Sequence, residues 1–275
     1  MSSHIKSTDI LGDYSLKDFP LNRQILSEIY DEFLKKHYSI GYIEVPVSKG
    51  KELIKKFSEK TGEKISFTAW IVKCISDALI QFPEFNSYRK GRKKLVTFND
   101  IDIIVMVERQ LPNKVIPIPY SIRKTTTKDL LSISREIRTA QSMVVTEENQ
   151  LLDHGVLKRF YPYIPAFIRH RLIRRIIKDP FYIKKQGGLI VVTSVGMFTN
   201  TRGWVGGFGG ITTLNFAIGG ITQKLVKSGD SIKEEQCLQI TISLDHDIID
   251  GGPAARFSAY LVDLIESASG LSELI

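Results

Sequence analysis

Residues 240–247 read Ile-Thr-Ile-Ser-Leu-Asp-His-Asp, apolar and polar in strict alternation until the final pair. A period of two fits a β-strand with one side against a core and does not fit a helix. The pattern predicts a strand over 236–247 with Ile240, Ile242, Leu244 and His246 on one face. Thr241, Ser243, Asp245 and Asp247 occupy the other. An imidazole at the end of an inward-facing apolar row is partly desolvated, which favours the neutral form that accepts a proton. That suits a general base, and a core histidine satisfied by hydrogen bonds fits the same pattern.

The rest of the chain surrounds this strand with both periods. Helical spacing predicts helices over 21–36 (Ile25, Ile29, Phe33), 50–61 closed by Gly62, and 127–142. Residues 66–81 are apolar on most sides, with Ser66 as a candidate N-cap and Pro83 just past the end, so this helix is expected to be mostly buried. A last helix is expected over 253–267 with Pro253 near its first position. Segments rich in Val and Ile predict strands over 40–47, 94–98, 101–107, 115–118, 189–194 and 212–221. Helices and strands interleave without repeats or low-complexity linkers. The expected fold class is therefore α/β, one domain over about 20–275 with a mixed sheet flanked by helices, after a polar and flexible segment 1–19.

A hydrophobic fraction of 43% with 25% charged residues excludes a disordered chain. Cys74 and Cys237 form no redox or metal-ligand spacing, and the N-terminus lacks a signal pattern. The expectation is a reduced, cytoplasmic protein with no metal site. The net charge of +8 raises nucleic acid, membrane and anionic small molecules as partners. Its distribution narrows them. Residues 151–186 carry nine basic and two acidic residues, leaving the remainder nearly neutral at 29 against 28. Within this basic insertion, 166–178 (AFIRHRLIRRIIK) places Ile168, Leu172 and Ile176 at four-residue spacing, with Phe167, Ile173 and Ile177 adjacent and Arg169, Arg171, Arg174, Arg175 and Lys178 opposite. This is an amphipathic helix. It is readable as a solvated basic face, as a peripheral anchor on anionic lipid helped by Tyr161, Tyr163 and Phe181, or as a trap for the phosphates of coenzyme A. Nucleic acid is the weakest option, because no recognition motif or aromatic stacking platform accompanies the basic residues.

The string after the alternating strand is His246-Asp247-Ile248-Ile249-Asp250-Gly251-Gly252-Pro253-Ala254-Ala255-Arg256-Phe257. This H-x-x-x-D-G pattern, preceded by Asp245, resembles the active-site signature of the 2-oxoacid dehydrogenase acyltransferases (E2 catalytic domain), within the wider chloramphenicol acetyltransferase-like group. Residues 115–138, containing Ser134-Arg135-Glu136, and 190–198 (IVVTSVGMF) are similar to two further segments of that family in the same order, and Arg23 matches an early arginine.

The resemblance implies a coenzyme A-dependent acyltransferase domain. His246 would take a proton from the thiol of coenzyme A or of a dihydrolipoyl group. Thr193, three positions before Gly196, would donate to the oxyanion, with Ser194 beside it as the alternative, and Asp250 would position the segment or cap a helix. It also implies a homotrimer whose active sites lie between subunits and no covalently bound cofactor, the acyl group arriving on acyl-CoA or on a lipoyl group of a separate protein.

The chain departs from the family's pattern at several points. Asp247 stands where the family has arginine. Residues 39–42 lack the usual Ile-Pro-His. A glycine-rich stretch over 201–220 with Trp204 and Phe208 replaces a proline-containing loop, and its glycines are expected to permit close backbone approach or a lid. With 275 residues there is no room for lipoyl and subunit-binding domains, so a free-standing catalytic domain is expected. A trimer that binds acyl-CoA or acts as a scaffold without transfer is the alternative.

Overall fold

The computed structural model describes residues 12–111, 114–142, 161–196, 202–206, 209–228 and 231–274. It contains one six-stranded mixed sheet with helices, as the interleaved periods require. In chain order the elements are α1 (Leu21–Phe33), β1 (Tyr38–Pro46), α2 (Ser48–Thr61), α3 (Phe67–Gln81), β2 (Ser87–Lys90), β3 (Lys94–Thr97), β4 (Ile103–Leu111), β5 (Lys114–Ile122), α4 (Leu130–Ser142), α5 (Ala166–Ile177), α6 (Pro180–Gln186), β6 (Ile190–Ser194), β7 (Leu214–Ser228), β8 (Ser231–Asp245) and α7 (Gly251–Glu266). The large sheet runs β1-β8-β7-β6-β4-β5, and β2 with β3 forms a separate two-stranded ribbon. Pairings β7/β6 and β6/β4 are parallel, and the others in the large sheet are antiparallel.

Helix α3 is the centre of the core. Trp70, Ile71, Ile75 and Leu79 are fully buried, and the helix contacts both α4 and α7. Ser66 caps it, its Oγ accepting from the Ala69 amide at 3.4 Å. Gly50 of α2 faces the Trp70 indole, where an added Cβ would lie 2.1 Å from the ring. Only glycine fits that approach. Helix α2 ends at Gly62 in the left-handed region, at φ 75°, as expected of a C-terminal glycine.

Several boundaries differ from the sequence reading. Strand β8 stops at Asp245, two residues early, and β7 and β8 run on as a long hairpin past the Pro46–Cys237 pair, the last of the ladder with β1. Beyond that pair its apolar residues, Leu225, Val226 and Ile232, do not alternate with polar ones along either strand, so there is no period of two to read. The helix expected from 127 begins at Leu130, after a 3-10 turn at Thr125–Thr127, with the Asp129 carboxylate accepting from the Ser132 amide at 2.7 Å. Helix α7 begins at Gly251, placing Pro253 at its third position. Strand β2 and helix α6 are additional elements.

Candidate active site

The signature segment leaves the sheet at Asp245 and turns at once. The Asp245 carbonyl accepts from the amides of Ile248 and Ile249, both at 3.1 Å, and so closes the turn. Ile249 is buried and Phe257 is fully buried, stacked on Phe85 at 4.5 Å between ring centroids. Burial of such a side chain is worth about 1.5–3 kcal/mol. It fixes α7 and hence the downstream end of the turn.

His246 lies in this turn and is exposed, which corrects the expectation of a partly desolvated ring in an apolar row. The ladder with β1 ends at the Tyr38–Asp245 pair, so no strand continues the alternation to residue 246. The His246 amide donates to the His37 carbonyl at 2.7 Å, tying the backbone while the ring faces outward.

Charged groups hold the turn from below. Lys36 meets the Asp245 carboxylate at 3.0 Å, both side chains largely buried, and also donates to the Ile211 carbonyl at 2.9 Å. Burial lowers the affinity of the Lys36 amine for its proton and the Asp245 charge opposes that shift. The other Asp245 oxygen accepts from the Asp247 amide at 3.2 Å. Asp247 itself contacts His37 Nδ1 at 2.9 Å and Arg89 at 3.1 Å. The His37 hydrogen bond, with the charges of His37, Arg89 and Lys36, holds the Asp247 carboxyl below its ordinary range. The aspartate at this position is therefore matched by the His37 ring from the α1–β1 turn and by the Arg89 guanidinium from β2. Sequence reading singled out neither Lys36, His37 nor Arg89, because their partners lie 158 to 210 positions away.

Asp250 is the N-cap residue of α7 and is exposed, without a capping bond from its side chain. Its carbonyl accepts the first helical bond, from Ala254 at 3.1 Å.

Thr193 and Ser194 are successive residues of β6 and point to opposite faces of the sheet. Ser194 is buried on the face shared with Ile190 and Val192, and it lines a cavity of about 540 Å³ with Phe67, Ile218, Ile221 and Leu238, at whose margin stand Lys51, Lys55 and Lys64. Thr193 is half-buried on the other face, in one register row with Ala217, Thr241 and Tyr42.

The glycine-rich stretch contributes residues to that second face. Tyr38 donates to the carbonyls of Gly210 and Thr212, the latter at 2.7 Å, and the Trp204 indole donates to the Ile43 carbonyl at 3.2 Å. An added Cβ at Gly209 would fall within the Tyr38 ring, and one at Gly196 would lie 1.8 Å from the Gly219 carbonyl oxygen. Within the stretch, close approach is the use made of Gly209 and of Gly219, whose added Cβ would lie 2.6 Å from the Gly203 carbonyl oxygen, whereas Gly203 and Gly206 have open space around them. Phe208 lies outside the described residues.

The distance between His246 and Thr193 follows from register. His246 is five positions beyond Thr241, whose row reaches Thr193 across two strand spacings. At about 3.4 Å per residue and about 4.8 Å per strand, the two sites on one chain are roughly 20 Å apart. Within one chain the two side chains therefore stand far apart. Among the described residues no cluster of His, Cys, Asp and Glu could hold a metal ion.

The chain belongs to the 2-oxoacid dehydrogenases acyltransferase (catalytic domain) family, whose model matches residues 40–151 and 184–272. It is 24% identical over 220 residues to the dihydrolipoyllysine-residue acetyltransferase component of the pyruvate dehydrogenase complex of Mycoplasma genitalium, covering 78% of this chain and 46% of that protein. It thus spans under half the length of this curated relative. Among solved structures it is similar to the dihydrolipoamide acetyltransferase of Azotobacter vinelandii, with TM-score 0.69, 16% identity and coverage of 97% and 98% of the two chains. It is similarly close to the cubic core of a pyruvate dehydrogenase multienzyme complex, with TM-score 0.67, 17% identity and coverage of 97% and 98%. These two likenesses establish the fold.

Proposed function

We propose that this chain transfers an acyl group between coenzyme A and a thiol acceptor of the dihydrolipoyl type, at a site completed by two copies of the chain. The observation that carries this reading is the placement of His246, its ring exposed on a turn whose backbone is hydrogen-bonded and whose flanking carboxylates, Asp245 and Asp247, are both partnered. An exposed ring on a fixed turn is suited to meet a group supplied by another copy. The separation of about 20 Å from Thr193 within one chain, built from strand spacings, supports a hydroxyl supplied by a neighbour. The family membership and the assembled core among its structural relatives support a trimer-based oligomer.

In this reading His246 takes the proton of the attacking thiol, and the thiolate adds to the carbonyl carbon of the thioester. A free thiol has a pKa of about 8.5 and a free imidazole about 6.5, so the transfer is uphill by about 2.7 kcal/mol, within the reach of positioning. The Thr193 hydroxyl donates to the developing oxyanion. Collapse of the intermediate expels the other thiolate, which recovers the proton from His246. Asp250 acts as a positioning residue through the start of α7.

Ser194 is the second reading for the donor, favoured by its place on the wall of the cavity. The apolar lining suits an acyl or pantetheine chain, and Lys51, Lys55 and Lys64 offer charge to the phosphates of coenzyme A.

Complementation tests the proposal. His246→Ala and Thr193→Val should each lower kcat with acyl-CoA by at least about a hundredfold, and subunits of the two variants refolded together should regain activity. Turnover unchanged in His246→Ala sinks the enzyme reading and leaves an acyl-CoA-binding trimer. A loss in Ser194→Ala with none in Thr193→Val moves the donor to Ser194.

A further inference from the structure

Helix α5 and its partner α1 lie outside the residues matched by the family, which omit 1–39 and 152–183. The sequence alone gives α5 an apolar stripe with five cations opposite. The structure divides both sets. Arg169 contacts Glu28 and Arg174 contacts Glu32 at 2.9 Å, and the buried hydroxyphenyl of Tyr161 donates to Glu28 at 2.6 Å. These bonds dock α5 on α1. Among the apolar residues, Ile173 and Ile176 are half-buried and Ile177 is buried, whereas Phe167 is 74% exposed, Ile168 44% and Leu172 42%.

Arg171, Arg175 and Lys178 are exposed, and among the described residues none of them meets a carboxylate. At 100° per residue they share one arc with Phe167 and Ile168, with Leu172 at its border. Tyr163 and Phe181 are exposed near the two ends of the helix. Cations interleaved with apolar side chains on one exposed arc, flanked by aromatics, have the character of a helix lying in a lipid interface. Free phosphate or an acidic protein surface would match the cations alone.

We infer that α5 docks this protein peripherally on an anionic bilayer, with Phe167, Ile168 and Leu172 entering the headgroup boundary and Arg171, Arg175 and Lys178 against lipid phosphates. The helix is 12 residues long, about 18 Å at 1.5 Å per residue, and so rests along the surface. No helix among the described residues is long and apolar enough to cross a membrane. None of the six docking residues belongs to the signature turn or to β6, so the inference does not rest on acyl transfer.

Sedimentation of the full chain with vesicles tests the inference. Phosphatidylcholine vesicles containing phosphatidylserine should pull the protein down, and phosphatidylcholine alone should not. Each cation near an anionic surface contributes about a fivefold change in partitioning. The combined Arg171→Gln, Arg175→Gln and Lys178→Gln variant should therefore bind on the order of a hundredfold more weakly. Phe167→Ser with Leu172→Ser should weaken binding at unchanged charge, and both variants should keep the wild-type circular dichroism spectrum and transferase activity. Wild-type protein that stays in the supernatant, or binding untouched by the triple variant, overturns the inference. So does complete displacement by excess coenzyme A, which would assign the cations to a free phosphate ligand, or binding to a polyglutamate matrix without vesicle binding, which would assign them to an acidic protein.

Discussion

The turn after β8 and the helix α5 are both rich in charge and use it in opposite ways. At the turn, Lys36 is matched by Asp245, and Asp247 by His37 and Arg89. On α5, two arginines are matched by Glu28 and Glu32, and three further cations meet no carboxylate among the described residues. Paired charge fixes geometry, because removing either partner strands the other in a poor environment. Unpaired surface charge costs little to carry and remains available to a partner. The two regions thus separate positioning from recognition within one chain.

Deleting a charge on each side gives the largest contrast. Lys36→Met leaves the buried Asp245 carboxylate uncompensated and should cost about 3–5 kcal/mol of stability, whereas Arg171→Met should change it by less than about 0.5 kcal/mol. Urea unfolding of both variants measures this, and equal losses would erase the distinction. Glu32→Gln comes next. The Glu32 side chain is nearly inaccessible and serves Lys35 and Arg174, so the substitution should cost about 1–3 kcal/mol. Faster hydrogen exchange should be confined to α1 and α5. Exchange rising equally at the signature turn would show that the two regions share one cooperative unit.

The smallest effect is in acid. The His37 hydrogen bond and nearby positive charge lower the Asp247 pKa against a small opposing effect of burial. A carboxylate lowered on folding adds stability above its unfolded pKa, about 3.9, and loses it as pH falls through the lower folded value. Asp247→Asn should therefore flatten the fall in stability below about pH 4 by a fraction of 1 kcal/mol, the scale of exposed pairs. Urea midpoints measured from pH 3 to 6, on the order of the range in which carboxylates titrate, read it directly. A variant whose slope equals that of the wild type would show the Asp247 contacts to be energetically idle.

Much of the fold was legible because local rules and the global structure agree. The cap at Ser66, the stop at Gly62 and the all-round apolar surface of α3 each follow from short-range chemistry. The place of the signature was legible as well. Its surroundings were not, since the Lys36–Asp245 and His37–Asp247 contacts span more than two hundred positions. Alternation predicted the face of Ile240, Ile242 and Leu244 correctly and failed at His246 because a period persists in sequence after the partner strand has ended. On α5, spacing gave an apolar stripe but not how much of it α1 would cover. That depends on which carboxylates the neighbouring helix presents.

The short turn between α1 and β1 has a practical consequence for anyone trimming the protein. Family similarity begins at residue 40, an inviting place to start a shortened chain. Lys36 and His37 lie just before it, and with them go the ion pair to Asp245, the contact to Asp247 and the carbonyl that holds the His246 amide. A protein cut at that boundary keeps every residue of the recognised motif and loses the brace on which the histidine stands.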